Sequence, residues 1–194
     1  MSVNIMLLGN TEVGKTTFLQ QYIKKTFKEV GMMTVGVDSE TIDIIIDNKK
    51  KVKTKIWDTA GQEKYQAIFK AHYQKADGMI LMYSVIERFS FDKIQDWINS
   101  IKESSREGIT IFLISNKNDY PEKQKEVTSE EGKALAKQLS LPFYEITSKD
   151  YSQVAQVMHD IVKEVVNKDE DGLFRVEPLV LTKEKVKEKK KCNC

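Results

Sequence analysis

Cysteine is almost missing from this chain: two residues in 194, and both, Cys192 and Cys194, lie at the extreme C-terminal end. A disulfide framework or a zinc site would need partners elsewhere, and none exist. The body of the chain therefore carries no sign of an oxidising compartment. Proline is scarce as well, at three residues, so little interrupts regular structure. No apolar run approaches the roughly 18 residues of a membrane span. Strand-like sequence begins at Val3, which leaves no room for a signal peptide, and Ser2 stands where N-myristoylation requires glycine. A basic body is also lacking. The net charge is +2, yet residues 183 to 191 contribute +4 through six lysines and two glutamates, leaving −2 for the rest. Nucleic-acid binding through such a body is not expected. What is present, 40% hydrophobic and 31% charged residues, suits a single cytosolic domain with a full core plus some extra chain.

Strand and helix signals alternate along that domain. Val3–Leu8 reads as a strand and Lys15–Lys25 as a helix with Phe18, Leu19, Tyr22 and Ile23 on one face. Ile42, Ile44 and Ile46 recur at period two, and a turn at Asp47–Lys50 joins them to Val52, Ile56 and Trp57 as a hairpin. Gly78–Ser84 and Ile109–Ser115 are nearly continuous apolar runs, as central parallel strands covered on both faces require. Ser90–Ser105 reads as one helix, Thr128–Glu131 as a helix cap, Leu141–Ile146 as a strand and Tyr151–Val166 as a long amphipathic helix. After Asn167 charge replaces periodicity. The boundary is accordingly drawn there, with a disordered tail beyond. The fold class is α/β: an open six-stranded sheet, mostly parallel, with one antiparallel edge strand and helices on both faces.

Ligands in such sheets sit beyond the carboxyl ends of the strands, and the chemistry-bearing motifs fall at those positions. Gly9-Asn10-Thr11-Glu12-Val13-Gly14-Lys15-Thr16 joins the first strand to the first helix in the order a phosphate-binding loop requires. Its glycines permit the tight turn, and its backbone N–H groups face one concavity with the helix start behind them. Lys15 supplies a full charge, and Thr16 offers a hydroxyl to Mg²⁺. The loop predicts a nucleoside triphosphate without naming its base. Asp58 follows the strand ending at Trp57, placed to hold Mg²⁺ directly or through water. Gly61 lets an N–H approach a terminal phosphate, and the Gln62 amide suits a water nucleophile. Asn116-Lys117-Asn118-Asp119 follows the fifth strand. The Asp119 carboxylate matches the paired N–H donors of guanine, and the Lys117 stem suits a base plane, although the tetrapeptide alone is equally a solvated loop.

Together with Thr34-Val35-Gly36 and Thr147-Ser148-Lys149, these segments stand in the order and spacing of Ras-like small GTPases, and the chain resembles that superfamily over residues 3 to 167. Gly36-Val37-Asp38, Trp57 and the terminal Cys-Asn-Cys make it similar to the Rab family. The resemblance implies a GTP/GDP switch in vesicle trafficking, slow to hydrolyse GTP alone and stimulated by an activating protein. It implies Lys15, Thr34 and Gln62 as catalytic residues. Thr16, Thr34 and Asp58 would hold Mg²⁺. The nucleotide would be contacted by Thr11, Glu12, Val13, Gly14, Lys15, Thr16, Thr17, Phe27, Thr34, Gly61, Asn116, Lys117, Asp119, Thr147, Ser148 and Lys149. Effectors, exchange factor and activating protein would meet residues 27–45 and 57–75 of a monomeric domain. Cys192 and Cys194 would carry prenyl groups, with prenylation and membrane-extraction factors acting on the tail and lysines attracting an anionic, cytosolic leaflet. Three departures stand out: Thr147-Ser148 for the usual Ser-Ala, Gly31 for a tyrosine over the phosphates, and Ser39 for a phenylalanine that effectors grip. His72 and His159 read as surface or packing residues, and Glu63 as a helix residue. Two other readings stay open: an adenine-specific phosphoryl-transfer enzyme, for which no lid insertion is visible, and a nucleotide-dependent adaptor without useful hydrolysis.

Overall fold

The computed structural model describes residues 1–26, 37–47, 50–59 and 72–170. Six strands form one sheet: β1 (Ser2–Leu8), β2 (Val37–Ile46), β3 (Lys50–Thr59), β4 (Gly78–Ser84), β5 (Thr110–Asn116) and β6 (Phe143–Glu145). Their order across the sheet is β2-β3-β1-β4-β5-β6. Only β2 runs antiparallel, against β3. The helices are α1 (Lys15–Lys24), α2 (Arg88–Asp92), α3 (Ile94–Ser104), α4 (Ser129–Leu139) and α5 (Tyr151–Glu170).

Alternation along the strands splits the core into two layers. Val3, Ile5 and Leu7 of β1, with Ile80, Met82, Phe112 and Ile114, pack under α1 and α5. Met6, Leu8, Met79, Leu81 and Leu113 pack on the opposite face against Ile94, Trp97, Ile98 and Ile101 of α3. All seven residues of β4, and all seven of β5, are buried, which is why both read as unbroken apolar runs. Strand order reverses at β1, whose neighbours are β3 and β4. A ligand crevice forms at that kind of switch point, beyond the carboxyl ends.

Against the sequence reading, several bounds shift by a single residue, and three differ by more than that. The helix expected over Ser90–Ser105 starts at Arg88 and is interrupted at Lys93. Glu87 caps α2 by accepting the Ser90 N–H at 2.9 Å, and Ser90 Oγ bonds back to the Glu87 carbonyl at 2.7 Å, so the turn closes on itself. Strand β6 is shorter than Leu141–Ile146, because the Leu141 N–H is spent on the Ala136 carbonyl at the end of α4. Helix α5 continues past Val166 to Glu170. The capping box at Thr128 and Glu131 is formed as read.

Candidate functional site

The loop between β1 and α1 turns through three positive-φ residues, Gly9 (130°), Glu12 (63°) and Gly14 (102°). Two of them admit no side chain. A Cβ on Gly9 would sit 2.1 Å from the Met82 carbonyl oxygen, and one on Gly14 would sit 2.3 Å from Asn116 Nδ2. Asn10 anchors the loop to α3, its Oδ1 accepting the Trp97 Nε1–H at 2.8 Å in a buried contact. Nothing in the sequence pattern marks that bond, since the partners lie far apart along the chain. Gly14 caps α1 without a side-chain hydrogen bond, and the first turn holds no acidic residue. The first N–H groups of α1 are thus left to an anion.

Lys15 folds back over this loop. Its Nζ donates to the carbonyls of Gly9 (2.8 Å) and Asn10 (2.7 Å), and the residue is 5% exposed. Burial brings its pKa down to about 8, against the pull of Asp58. Thr16 Oγ1 donates to Asp58 Oδ2 at 2.6 Å. Asp58 is 3% exposed, and its Oδ1 has no partner among the described residues. Burial raises its pKa, opposed by Thr16 and Lys15. The β3 end that carries it is tied to β1 by Thr59 Oγ1, which donates to the Leu7 carbonyl at 2.7 Å. A hydroxyl and a carboxylate held side by side, with one buried carboxylate oxygen unpaired, fit a hard divalent cation such as Mg²⁺. Among the described residues no group of three or more His, Cys, Asp or Glu gathers elsewhere.

The loops after β5 and β6 are braced by Asn116. Its Nδ2 donates to the Val13 carbonyl at 2.8 Å, while its Oδ1 accepts from Ser148 N (2.9 Å) and Ser148 Oγ (3.0 Å). One side chain thereby fixes the β1–α1 loop and the 147–149 segment together. Asn118 Nδ2 donates to the carbonyls of Ser115 and Ile146 and so pins the turn below Asp119. Asp119 Oδ2 accepts from Lys149 Nζ at 2.7 Å. Partial burial pushes its pKa up, but hydrogen bonds from Lys149 and Thr147 outweigh that and leave it low, hence ionised. Lys117 holds a left-handed backbone (φ 67°), and burial lowers its pKa. Gln21 on α1, unmarked in the sequence, donates from Nε2 to the Lys149 carbonyl at 3.0 Å.

The structure thus brings Lys15, Thr16, Asp58, Asn116 and Ser148 to one end of the sheet, with Asp119 and Lys149 paired beside them. Thr17 follows on α1. Phe27, Gly31, Thr34, Gly36, Gly61, Gln62, Glu63, Cys192 and Cys194 lie outside the described residues. Ser39 on β2 faces Trp57 of β3 in register. The Trp57 ring is contacted by Lys55 Nζ at 3.9 Å and by His72 at 5.2 Å between centroids. His72 is therefore a packing residue, and His159 contacts Asp160 on α5.

A helix-capped glycine loop after β1, a Thr–Asp pair and a braced loop after β5 define a P-loop nucleotide-binding protein on a small G-domain fold. The Ras family model matches residues 4–167. Human Ras-related protein Rab-3A is 39% identical over 176 residues, covering 91% of this chain and 79% of that protein. Ras-related protein Rab-3B of Mesocricetus auratus is 38% identical, with 87% and 76% covered. Ras-related protein Rab-3C of Bos taurus is 37% identical, with 87% and 74% covered. The chain belongs to the Ras family of small GTPases, in its Rab branch. It is a GTP hydrolase that acts as a GTP-dependent switch in vesicle trafficking.

Proposed function

We propose that residues 1–167 bind GTP and GDP with Mg²⁺ through the residues gathered at the carboxyl ends of β1, β3, β5 and β6, and that residues 168–194 attach this domain to membranes. The observation that carries the reading is the Lys15–Thr16–Asp58 group, with Lys15 and Asp58 buried, beside a loop turned by two side-chain-intolerant glycines. Phosphate oxygens would draw Lys15 Nζ from the Gly9 and Asn10 carbonyls, exchanging neutral acceptors for charged ones. Thr16 and Asp58, with Thr34, would hold Mg²⁺, which when bound offsets charge on the outer phosphates. The low-lying Asp119 carboxylate would accept the two guanine N–H donors, with the Lys117 stem against the base and the Ser148 N–H near its carbonyl oxygen. Adenine would leave that carboxylate unpaired. Phe27 would pack on the base edge, and Thr11, Glu12, Val13, Gly14, Thr17, Thr147 and Lys149 would complete the walls.

For turnover, Gln62 would orient a water, with the Gly61 N–H on the terminal phosphate, and Thr34 would order only with GTP. An activating protein would add an arginine in trans, worth roughly 10³–10⁵ in rate in small GTPases. Effectors would meet residues 27–45 and 57–75, where Ser39 beside Trp57 offers no second ring, so effector choice would depart from that of relatives with phenylalanine there. Prenyl groups on Cys192 and Cys194, aided by the tail lysines, would place the domain on the cytosolic face of membranes. No described helix is long and apolar enough to cross one.

The test is nucleotide competition followed by single-turnover hydrolysis with Gln62→Leu as control. Displacement of bound GDP by GTP but not ATP is expected, with hydrolysis stimulated in the wild type and not in Gln62→Leu. Displacement by ATP would refute the guanine assignment. Stimulated turnover in Gln62→Leu would refute the role of Gln62.

A further inference from the structure

Positive charge is concentrated in two places along this chain. Residues 42–56, most of the β2–β3 hairpin, hold five lysines against Asp43 and Asp47. With +3 there and +4 in residues 183–191, a net charge of +2 leaves −5 for everything else. Both basic segments belong to one end of the domain. β3 runs parallel to β1, with Lys53 beside Ser2 and its N–H donating to the Met1 carbonyl at 3.3 Å. The hairpin turn therefore lies at the end of the sheet remote from Lys15 and Asp58. Helix α5 runs to that same end, where Lys163 pairs with Asp47 at the turn and Val165 packs at Gly78, the first residue of β4. Residues 171–194 continue from there. Register defines what the hairpin presents: Ile44 and Val52 pair on the core face, and Ile45 with Lys51, then Asp43 with Lys53, pair on the opposite face. Ile45 is 62% exposed on an edge strand. Among the described residues only three large apolar side chains are more than half exposed, and Met1, at the same end, is another of them. Lys51 lies directly across the ladder from Ile45, Lys53 one diagonal step away, and Lys51 Nζ reaches Asp43 at 2.8 Å while staying 67% exposed.

We propose that the tip of the β2–β3 hairpin rests on an anionic phospholipid leaflet, with Lys51 and Lys53 at the headgroups and the Ile45 side chain in the interfacial layer. This contact rests on the reading that residues 168–194 attach the domain to membranes, and it names the surface of the domain that the attachment brings to the leaflet. Charge decides the orientation. An anionic leaflet attracts the hairpin and the tail and repels the acidic remainder, so the domain turns its hairpin end toward the lipid. Lysine stems lie along apolar surface while their ammonium groups stay at headgroup level, and an exposed isoleucine between them adds apolar burial at the same depth. A soluble acidic segment would satisfy the lysines alone. The leaflet also covers Ile45, and a tail anchored beside the hairpin holds it there at high effective concentration. Ser39 stands six residues from Ile45, about 20 Å along β2. Ser39 and Trp57 accordingly stay clear of the lipid, and the nucleotide end of the sheet points away from it.

The test uses the full chain loaded with GDP and Mg²⁺ and coupled to maleimide lipid through Cys192 and Cys194, its only cysteines. The nanodiscs contain phosphatidylcholine with about one-third phosphatidylserine, or phosphatidylcholine alone. A gadolinium-chelating lipid broadens the amide NMR signals that lie near the leaflet. Broadening centred on residues 44–46 and 50–53 is expected, with Ser84 and Asn116 at the far end least affected, and at least about threefold weaker on the neutral discs. Without coupling, Lys51→Gln combined with Lys53→Gln should lower co-sedimentation with phosphatidylserine vesicles by about tenfold, since each lysine near such a surface contributes roughly fivefold. Ile45→Thr keeps a β-branched residue in the strand and should lower it by about two- to threefold. GDP affinity should be unchanged in both variants. Broadening centred on another face, an equal footprint on neutral discs, or unaltered sedimentation of the double variant would overturn the proposal. Tighter binding of soluble hexaglutamate than of vesicles would also overturn it, by assigning the hairpin to an acidic protein. Chemical coupling separates this contact from the tail reading. Cysteines that accept no prenyl group from a prenyl transferase would refute that reading and leave a hairpin footprint standing, whereas prenylation without the footprint would do the reverse.

Discussion

At the phosphate end of the site the polar groups are buried and incompletely paired, whereas at the base end they are paired within the protein and partly open to water. Lys15 and Asp58 are nearly inaccessible, one with a lowered and the other with a raised pKa, both through burial, and Asp58 Oδ1 has no partner among the described residues. Asn116, by contrast, has both ends of its amide engaged, and Asp119 and Lys149 form an ion pair with half-open side chains. Preorganisation at the base end fixes which base is accepted before it arrives. The phosphate end holds charge that only an anion and a cation can fully satisfy, so binding energy and stability should be tightly linked there.

The largest expected effect follows from that contrast. Lys15→Met should lower GDP affinity by at least about 1,000-fold, since a buried charge-assisted contact is lost. The nucleotide-free protein should nevertheless gain roughly 1–3 kcal/mol, because an apolar chain of similar volume replaces a desolvated ammonium. Calorimetric titration and urea unfolding read the two signs separately. A nucleotide-free protein destabilised by the substitution would break the contrast, showing that the two backbone carbonyls already satisfy Lys15.

Asn116→Ala comes next and attacks the brace shared by both ends. It leaves the Val13 carbonyl and the Ser148 N–H without their partner in buried surroundings. Stability should fall by about 2–4 kcal/mol, and GDP release should accelerate in step. Faster release with unchanged unfolding would mean that the base end is organised by the nucleotide and not beforehand.

How much of this was legible in the sequence depends on the range of the interaction concerned. The strands announced themselves through local pattern: period two in β2, unbroken apolar runs in β4 and β5. Lys15, Thr16, Asp58, Asn116 and Asp119 were legible because loop chemistry is written in short segments. The brace was not. Asn116 meets Val13 and Ser148 across long stretches of chain, and its spacing says nothing of which way the amide points. Asn10–Trp97 and Gln21–Lys149 were hidden for the same reason. The interruption at Lys93 escaped because Phe91, Ile94, Ile98 and Ile101 keep helical spacing through it. Lys93 also keeps a right-handed backbone (φ −82°, ψ −6°) and donates its N–H to the Phe89 carbonyl, so the interruption is slight.

Asp119→Asn sharpens the comparison from the base side. Its ion pair with Lys149 is open to solvent, and such pairs contribute little to stability. Unfolding should shift by no more than about 0.5 kcal/mol. GDP affinity should fall by about 10- to 100-fold, and xanthosine diphosphate should now compete. Unchanged base preference would refute the assignment of Asp119 to the base, and a large loss of stability would make it a structural residue instead.

The smallest effect concerns the packing on α1 and α5, next to Gln21 and its bond to the 147–149 loop. Tyr22 stacks on Tyr151 with centroids 6.4 Å apart, and Lys25 Nζ lies 4.9 Å from the Tyr151 ring. Burial, with a further push from Tyr151, raises the Tyr22 pKa to about 12. Its ordinary value is 10.0, so the folded protein holds this proton where the unfolded chain releases it. The corresponding stabilisation is complete below pH 10 and disappears as the pH climbs to 12. Tyr73, Tyr83 and Tyr144 share the same direction, so Tyr22→Phe should flatten the alkaline decline only in part. Urea unfolding at stepped pH between 9 and 12 measures it, with GDP affinity at neutral pH as the control. That affinity should stay put, because a phenylalanine keeps the stack on Tyr151 and touches none of the residues assigned to the nucleotide. An alkaline slope identical to that of the wild type would show that the Tyr22 phenol is not held neutral by burial.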